Sequence, residues 1–282
     1  MNYKHSYHAG GFSDVLKHIV VIAIMNEMIR KDKPLCYVDT HAGRGLYHLG
    51  SAFAKKTDEF VMGVQKLLSY YHASNSIRSV PKLIETYIRM IQRLGYPEYY
   101  AGSPLIAEAF LRETDRLILM ELQSEEHRIL QKNVRGDHRI AVHHQDGYLG
   151  LKAFLPPSER RGLTLIDPAF EKPEEWKQLL ASIKVALKQF PTGVFAIWYP
   201  IKDLWQVKHF LKSIASLGLE SAVIAELGIY PQDAPLSLMG SGMLIINPPW
   251  QCTAVLEETL PWVWKALAVN EAGGWRVQKL VF

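Results

Sequence analysis

The stretch Gly162-Leu-Thr-Leu-Ile-Asp167-Pro168-Ala169-Phe170 constrains this chain more than any other. An unbroken apolar or β-branched run between a glycine and a proline offers no polar side to water. It reads as a strand buried on both faces, the condition of a parallel sheet covered by helices. Ligands of such sheets sit beyond the C-terminal ends of the strands. Asp167 stands at that end.

Other segments repeat the pattern. Leu35-Cys-Tyr-Val-Asp39-Thr-His41-Ala-Gly43-Arg-Gly45 is a short apolar strand running into a turn with two glycines, which lets the backbone approach a nucleoside ligand. The dinucleotide fingerprint G-x-G-x-x-G is not completed, because its third position is His48. That counts against a nicotinamide oxidoreductase, whereas Asp39 with two glycines suits S-adenosylmethionine, which has no pyrophosphate to cradle. Arg116-Leu-Ile-Leu-Met-Glu121 is a second strand whose terminal carboxylate is placed to accept hydrogen bonds from ribose hydroxyls. Arg139 to His143 is a third, followed by Asp146-Gly147, where Asp146 is placed to meet an adenosyl amino group. Strands at Gly193 to Pro200, Ser221 to Leu227 and Met243 to Asn247, with helices at Pro173 to Gln189 and Asp203 to Leu217, complete an α/β, Rossmann-like sheet.

The amino-terminal dozen residues read as an ordered loop. A helix capped by Ser13 or Asp14 follows and runs to about Arg30, with Val15, Leu16, Ile19, Val20, Ile22, Ala23 and Met28 on its buried side. Lys17 and His18 sit in its first turns, where a cation opposes the helix dipole; an anionic ligand nearby and a solvated Lys beside a packed His are both open. From about Gly50 to Arg112 apolar residues recur at helical spacing, with a polar hinge around Ser74 to Pro81. The expected organisation is therefore residues 1–49 as loop, helix and first strand, 50–112 as a mainly helical insertion, and 113–282 as the remainder of the sheet domain. Ser103 reads as the cap of a helix from Leu105 to about Leu111.

Composition bounds the partners. The 282 residues are 48% hydrophobic, ample for a core, and a formal charge of +4 permits a nucleic-acid partner without demanding one. Only Cys36 and Cys252 occur, which excludes a disulfide framework and fits a reducing cytoplasm. Tyr3, Lys4, His5 and His8 are polar where a signal peptide would turn apolar, and Ile19 to Met25 is too short to span a bilayer. Histidines 5, 8, 18 and 41 lack a compact metal-ligand spacing, so no metal is expected.

An acid followed by Pro-x-aromatic is what methylation of an exocyclic nucleobase amine requires. The adenine N6 lone pair is delocalised into the ring. An acceptor such as Asp167 pulling on an N6 hydrogen, helped by the Pro168 carbonyl, localises that pair for attack on a methyl sulfonium. Phe170 offers a face for an extruded base. Asn247-Pro248-Pro249-Trp250 matches the amino-methyltransferase tetrapeptide better by letter. In such a sheet, however, the seventh strand runs antiparallel and ends at the edge away from the ligand, so Asn247 is expected to be structural.

Several ordered matches, Tyr3-x-His5-Ser-x-His8-Ala-Gly, Asp14-Val-Leu-Lys17-His18, Asp39-Thr-His41-Ala-Gly43-x-Gly45, Gly102-Ser103-Pro-Leu-Ile-Ala, Arg161-Gly-Leu-x-Leu-Ile-Asp167-Pro, Trp198-Tyr-Pro and Ile246-Asn-Pro-Pro-Trp250, span nearly the whole chain. Through them the sequence resembles the RlmJ family of bacterial 23S ribosomal RNA adenine-N6 methyltransferases. The resemblance implies a monomer with a Rossmann-like class I methyltransferase sheet and a small helical insertion, and S-adenosylmethionine as cofactor. It implies that His18, His41, Ser103, Glu121, Asp146, Gly147 and Asp167 contact that cofactor or lie against it. Tyr3, His5, Lys17 and Phe170 are expected on the RNA side, with Asp167 the catalytic acceptor. The family's Asp-Pro-Pro-Tyr is here Asp167-Pro168-Ala169-Phe170, which removes a hydroxyl and a stiffening ring. A DNA adenine-N6 or cytosine-N4 methyltransferase, or a silent RNA-binding or assembly module, are the competing readings.

Overall fold

A computed structural model describes residues 4–74, 80–231 and 238–280. Tyr3 and most of the hinge expected around Ser74 to Pro81 lie outside them. A 3-10 turn, His5–Tyr7, leads into α1 (Phe12–Met28), β1 (Cys36–Asp39), β2 (Leu46–His48) and α2 (Ala52–Thr57). A π-helical turn, Val61–Gln65, follows, then α3 (Lys66–Ser74), α4 (Lys82–Arg93), β3 (Tyr99–Ala101) and α5 (Ser103–Glu108). The remainder alternates: β4 (Arg116–Glu121), α6 (Ser124–Asn133), β5 (Ile140–His144), α7 (Gly147–Phe154), β6 (Gly162–Ile166), α8 (Glu175–Gln189), β7 (Val194–Ile201), α9 (Leu204–Ala215) and β8 (Ala222–Gly228). It closes with β9 (Gly240–Ile246), α10 (Cys252–Leu267) and β10 (Gly274–Lys279).

The main sheet has eight strands in the order β10-β8-β9-β7-β6-β1-β4-β5. β5, β4, β1, β6 and β7 are parallel, and β9 is antiparallel to both neighbours. Strand order reverses between β1 and β6, which opens the ligand crevice at their C-terminal ends. The sequence pattern accounts for seven of these strands and misses β10. Its Trp-Arg-Val-Gln-Lys run pairs only with β8 at the edge and has no fully buried residue, so it lacks the apolar signature of the inner strands.

Alternate strand residues face opposite layers. Tyr37, Leu117, Leu119, Leu163 and Leu165 join α1, α4 and α10 in one apolar cluster. Val38, Ile118, Met120, Ile166 and Phe195 join α7, α8 and α9 in the other. α1 is buried on every side from Val15 to Met25, wider than the expected stripe, because β9, α4, α5 and α10 all pack against it. No side chain caps it: Gly11 is the N-cap and Asp14 is turned to other partners.

Residues 50–112 are mainly helical, but β3 pairs antiparallel with β2, and the helices of this stretch contribute Leu67, Ile84, Tyr87 and Ile91 to the same cluster as α1. The stretch also grips the amino-terminal arm. Val64 N donates to Gly10 O at 2.8 Å, and a Cβ on Gly63 would come within 2.1 Å of that oxygen, so only glycine allows this backbone contact.

Candidate active site and its two chambers

Parallel strands end at a common edge, and here they end on acids: Asp39 closes β1, Glu121 closes β4, and Asp167 follows β6. A cavity of about 500 Å³ opens there. Its lining includes His5, Lys17, His41, Gly43, Ser103, Glu121, Asp146, Gly147, Asp167 and Ala169. Glu121 accepts from Gly43 N (2.9 Å) and Gln123 N (2.7 Å), which fixes the carboxylate at the rim, while burial pushes its pKa up. Asp146 caps α7 through one oxygen, Oδ1, which takes both Tyr148 N and Leu149 N. Gly147 is required by packing, since a Cβ there would meet Thr40 O at 2.0 Å. His41 lines the cavity as a neutral imidazole. Burial pulls its pKa down to about 4, and its Nδ1 pairs with the Thr40 hydroxyl at 2.7 Å.

The floor is a chain of charges. Lys17 Nζ lies 2.6 Å from Asp167 Oδ2 and 2.8 Å from Asp14 Oδ1. Asp14 Oδ2 also receives Gly10 N (3.0 Å) and pairs with His5 Nε2 (2.9 Å). Burial opposes the charge on Lys17, but the two carboxylates outweigh it and hold its pKa above the ordinary lysine range. Asp14 is likewise held well below the usual carboxylate range, because His5 and Lys17 overcome its burial. The cation early in α1 is therefore explained by two acids. Asp39, behind this chain, is raised to about 6 by burial, with the charge of Asp167 adding and the Ser103 hydroxyl opposing. That hydroxyl donates to Asp39 Oδ2 at 2.7 Å, and Ser103 is the first residue of α5, capped by Gly102, so the expected capping role is replaced by a buried hydrogen bond.

A smaller chamber of about 160 Å³ lies on the other side of Asp167, lined by His8, Ser13, Glu59, Pro168, Trp198 and Lys202. His5, Lys17, Asp167 and Ala169 belong to both chambers. The register explains why Trp198 is here: Ile166 pairs with Ile197, which puts the next residues, Asp167 and Trp198, side by side. The indole donates to Ser241 Oγ at 2.7 Å, and His8 pairs with Glu59 at 2.7 Å.

Two expected site residues sit apart from the cavities. His18 is fully buried and lines neither. Its Nδ1 pairs with the Tyr100 hydroxyl at 2.9 Å, burial pulls its pKa down to about 3, and Nε2 has no partner among the described residues. Phe170 lines neither chamber; it packs on Trp176 and Trp198, with ring centroids 4.6 and 5.7 Å away, from a left-handed backbone position (φ 50°). Asn247 lies away from both. Through Phe195↔Ile246 and Leu163↔Val194 it is level with Leu163, roughly 13 Å below Asp167 along the strand at about 3.3 Å per residue. Its Nδ2 donates to Pro191 O and Gly193 O, both at 2.8 Å. Sequence reasoning did not single out Asp14, Glu59, Trp198 or Lys202 as site residues. The usable signal was Asp14 and Lys17, an acid and a base at i, i+3 inside an otherwise apolar helix.

The sequence and the fold both have known relatives. The family model described as ribosomal RNA large subunit methyltransferase D, RlmJ, matches residues 32–281. Ribosomal RNA large subunit methyltransferase J of Haemophilus influenzae is 38% identical over 282 residues, covering 99% of this chain and 98% of that protein. The protein of the same name from Escherichia coli is 37% identical over 276 residues, covering 97% and 96%. A crystal structure of a Legionella pneumophila protein superposes with a TM-score of 0.84 at 32% identity, covering 96% of this chain and 97% of that one.

Proposed function

The chain belongs to the RlmJ family of ribosomal RNA large subunit methyltransferases, and from that premise we propose that it transfers a methyl group from S-adenosylmethionine to N6 of an adenine in 23S ribosomal RNA. One observation supports the reading above others: Asp167 forms a shared wall between a large cavity lined in part by carboxylates and a small one with Trp198 in its wall. A transferase needs donor and acceptor on two sides of one group.

The large cavity suits the donor in size and chemistry. About 500 Å³ lies within the usual range for a small-molecule site, and the rim carries carboxylates where ribose and amino groups need acceptors. Glu121 would hold the ribose hydroxyls and Asp146 the adenosyl amino group, with the backbone at Gly43 and Gly147 close by. His41 and Ser103 border the remaining part, and His18 supports it from behind through Tyr100. S-adenosylmethionine supplies an electrophilic methyl group on a sulfonium.

The protein's own work falls to Asp167. Its Oδ2 is held by Lys17, and Oδ1 carries no hydrogen bond among the described residues, leaving an acceptor for an N6 hydrogen. Accepting that hydrogen localises the amine lone pair, and the proton released on methylation departs through the same oxygen. Lys17 acts as a positioning residue: it fixes the carboxylate and balances Asp14. Preorganised acceptors of this kind work without rearrangement at the moment of reaction. The small chamber would take the base, with the Trp198 ring in its wall, Phe170 bracing that ring, and His5 closing it from the arm. Residues 50–112 form an insertion that holds this arm in place. The chain acts as a monomer, since one copy lines both chambers, in the cytoplasm on free 23S ribosomal RNA or an early assembly intermediate. The test is methyl transfer to a 23S ribosomal RNA transcript, read by nucleoside mass spectrometry. N6-methyladenosine formed by the parent and absent with Asp167→Asn is expected; equal activity of the two removes the mechanism.

A further inference from the structure

Beyond the small chamber the surface of α9 carries a pattern the reaction does not use. Lys202 borders the chamber, and Trp205, Lys208, His209 and Lys212 follow at i, i+3, i+4 and i+7. That spacing puts them on one side of the helix, and all four are exposed. Trp205 is 65% exposed, so it contributes little to the core. Its ring lies 3.7 Å from that of His209, centroid to centroid, and His209 Nδ1 pairs with Trp205 O at 2.9 Å. The indole is thereby braced on one side. None of Lys202, Lys208 and Lys212 enters an ion pair among the described residues.

We propose that this stripe is a docking surface for single-stranded ribosomal RNA flanking the target adenine, with Trp205 stacking one base and the lysines contacting phosphates. The inference rests on the function proposed above. Three features select RNA as the occupant. The stripe begins at the rim of the chamber proposed for the base, so a strand leaving that chamber meets it directly. Unpaired cations beside a braced aromatic face match the combination that holds single strands without reading sequence. Protein interfaces, by contrast, are depleted in lysine. From Trp205 to Lys212 the helix rises about 10 Å, the length of roughly three stacked nucleotides.

The experiment uses the full chain with a 23S ribosomal RNA transcript. Trp205→Ala is expected to raise KM for the transcript roughly 5- to 100-fold, the worth of one stacked base, while kcat at saturating RNA stays put and Trp205→Phe restores most of the loss. Lys208→Ala and Lys212→Ala together should flatten the plot of log affinity against log salt by about 0.7 per lysine. Melting temperatures control for folding. A Trp205→Ala KM within twofold of the parent, or an unchanged salt slope, overturns the proposal. So does a parent that self-associates through this face, seen as a dimer lost in Trp205→Ala with the RNA KM unmoved. If the parent fails to methylate the transcript at all, the substrate reading fails first and the stripe falls with it.

Discussion

Two prolines follow a short polar side chain at two strand ends, and the two tips do unrelated jobs. At the C-terminal edge, Asp167-Pro168-Ala169-Phe170 sits between two cavities with its carboxylate on a buried lysine. At the opposite edge, Asn247-Pro248-Pro249-Trp250 ties its amide to two carbonyls of the turn before β7 and leaves Trp250 90% exposed. Each tip carries one non-glycine residue in the left-handed region, Phe170 at φ 50° and Asn247 at φ 53°. Asparagine tolerates that conformation readily, whereas an aromatic needs surrounding packing to hold it, which Trp176 and Trp198 supply. Strand direction, more than the letters of a tetrapeptide, decides which tip meets the cavities.

The sharpest way to break this comparison is to exchange the losses. Asp167→Asn is expected to lower kcat by about 10²- to 10⁴-fold, the usual worth of a positioned proton acceptor, and Asn247→Ala to leave kcat within about twofold. Initial rates at saturating donor and RNA decide it, and the reverse ranking would mean that the edges have been assigned wrongly. Next in size is Lys17→Met, which removes the cation paired with Asp167 and leaves Asp14 to His5 alone; a cost of about 3–5 kcal/mol in urea unfolding is expected. Adding Asp14→Asn should recover part of it, and strictly additive losses would argue that the three groups are not coupled. Asn247→Ala leaves two carbonyls unpaired and should cost about 1–3 kcal/mol in the same measurement.

The smallest effect is a matter of pH, and it belongs to one edge alone. His18 and His41 have folded pKa values of about 3 and about 4, below the 6.5 of the unfolded chain. Their contribution is complete above that value and is lost as pH falls, because only the unfolded state takes up the protons. Asp39, raised to about 6 from 3.8, works the other way: its contribution grows as pH falls through that window. Among these three groups the balance is one proton, so their joint contribution should decline by at most about 1.4 kcal/mol per pH unit between about 6 and 4. His41→Asn should flatten this slope, and Asn247→Ala should lower the whole curve without changing its shape. A slope untouched by His41→Asn would contradict the burial of that ring.

The sheet was legible because β1, β4, β6 and β7 are covered on both faces and so carry unbroken apolar runs. β10 was not, because an edge strand buries too little to mark itself. The long-range pairing of β2 with β3 involves three residues each and leaves no periodicity to read. Within the site, the acids at strand ends followed from topology. Where an individual side chain points did not: Ser103 resembles a cap yet bonds Asp39, His18 is adjacent to Lys17 yet faces the core, and Phe170 turns onto indoles instead of a cavity. Such choices are made by neighbours distant in sequence, as when Tyr100 engages His18.

The close passage of Gly10 against Gly63 ties the arm that roofs the small chamber to a turn fifty residues downstream. Any side chain at position 63 would be driven into the Gly10 carbonyl. Arm and turn should therefore be inherited, and engineered, as a matched pair.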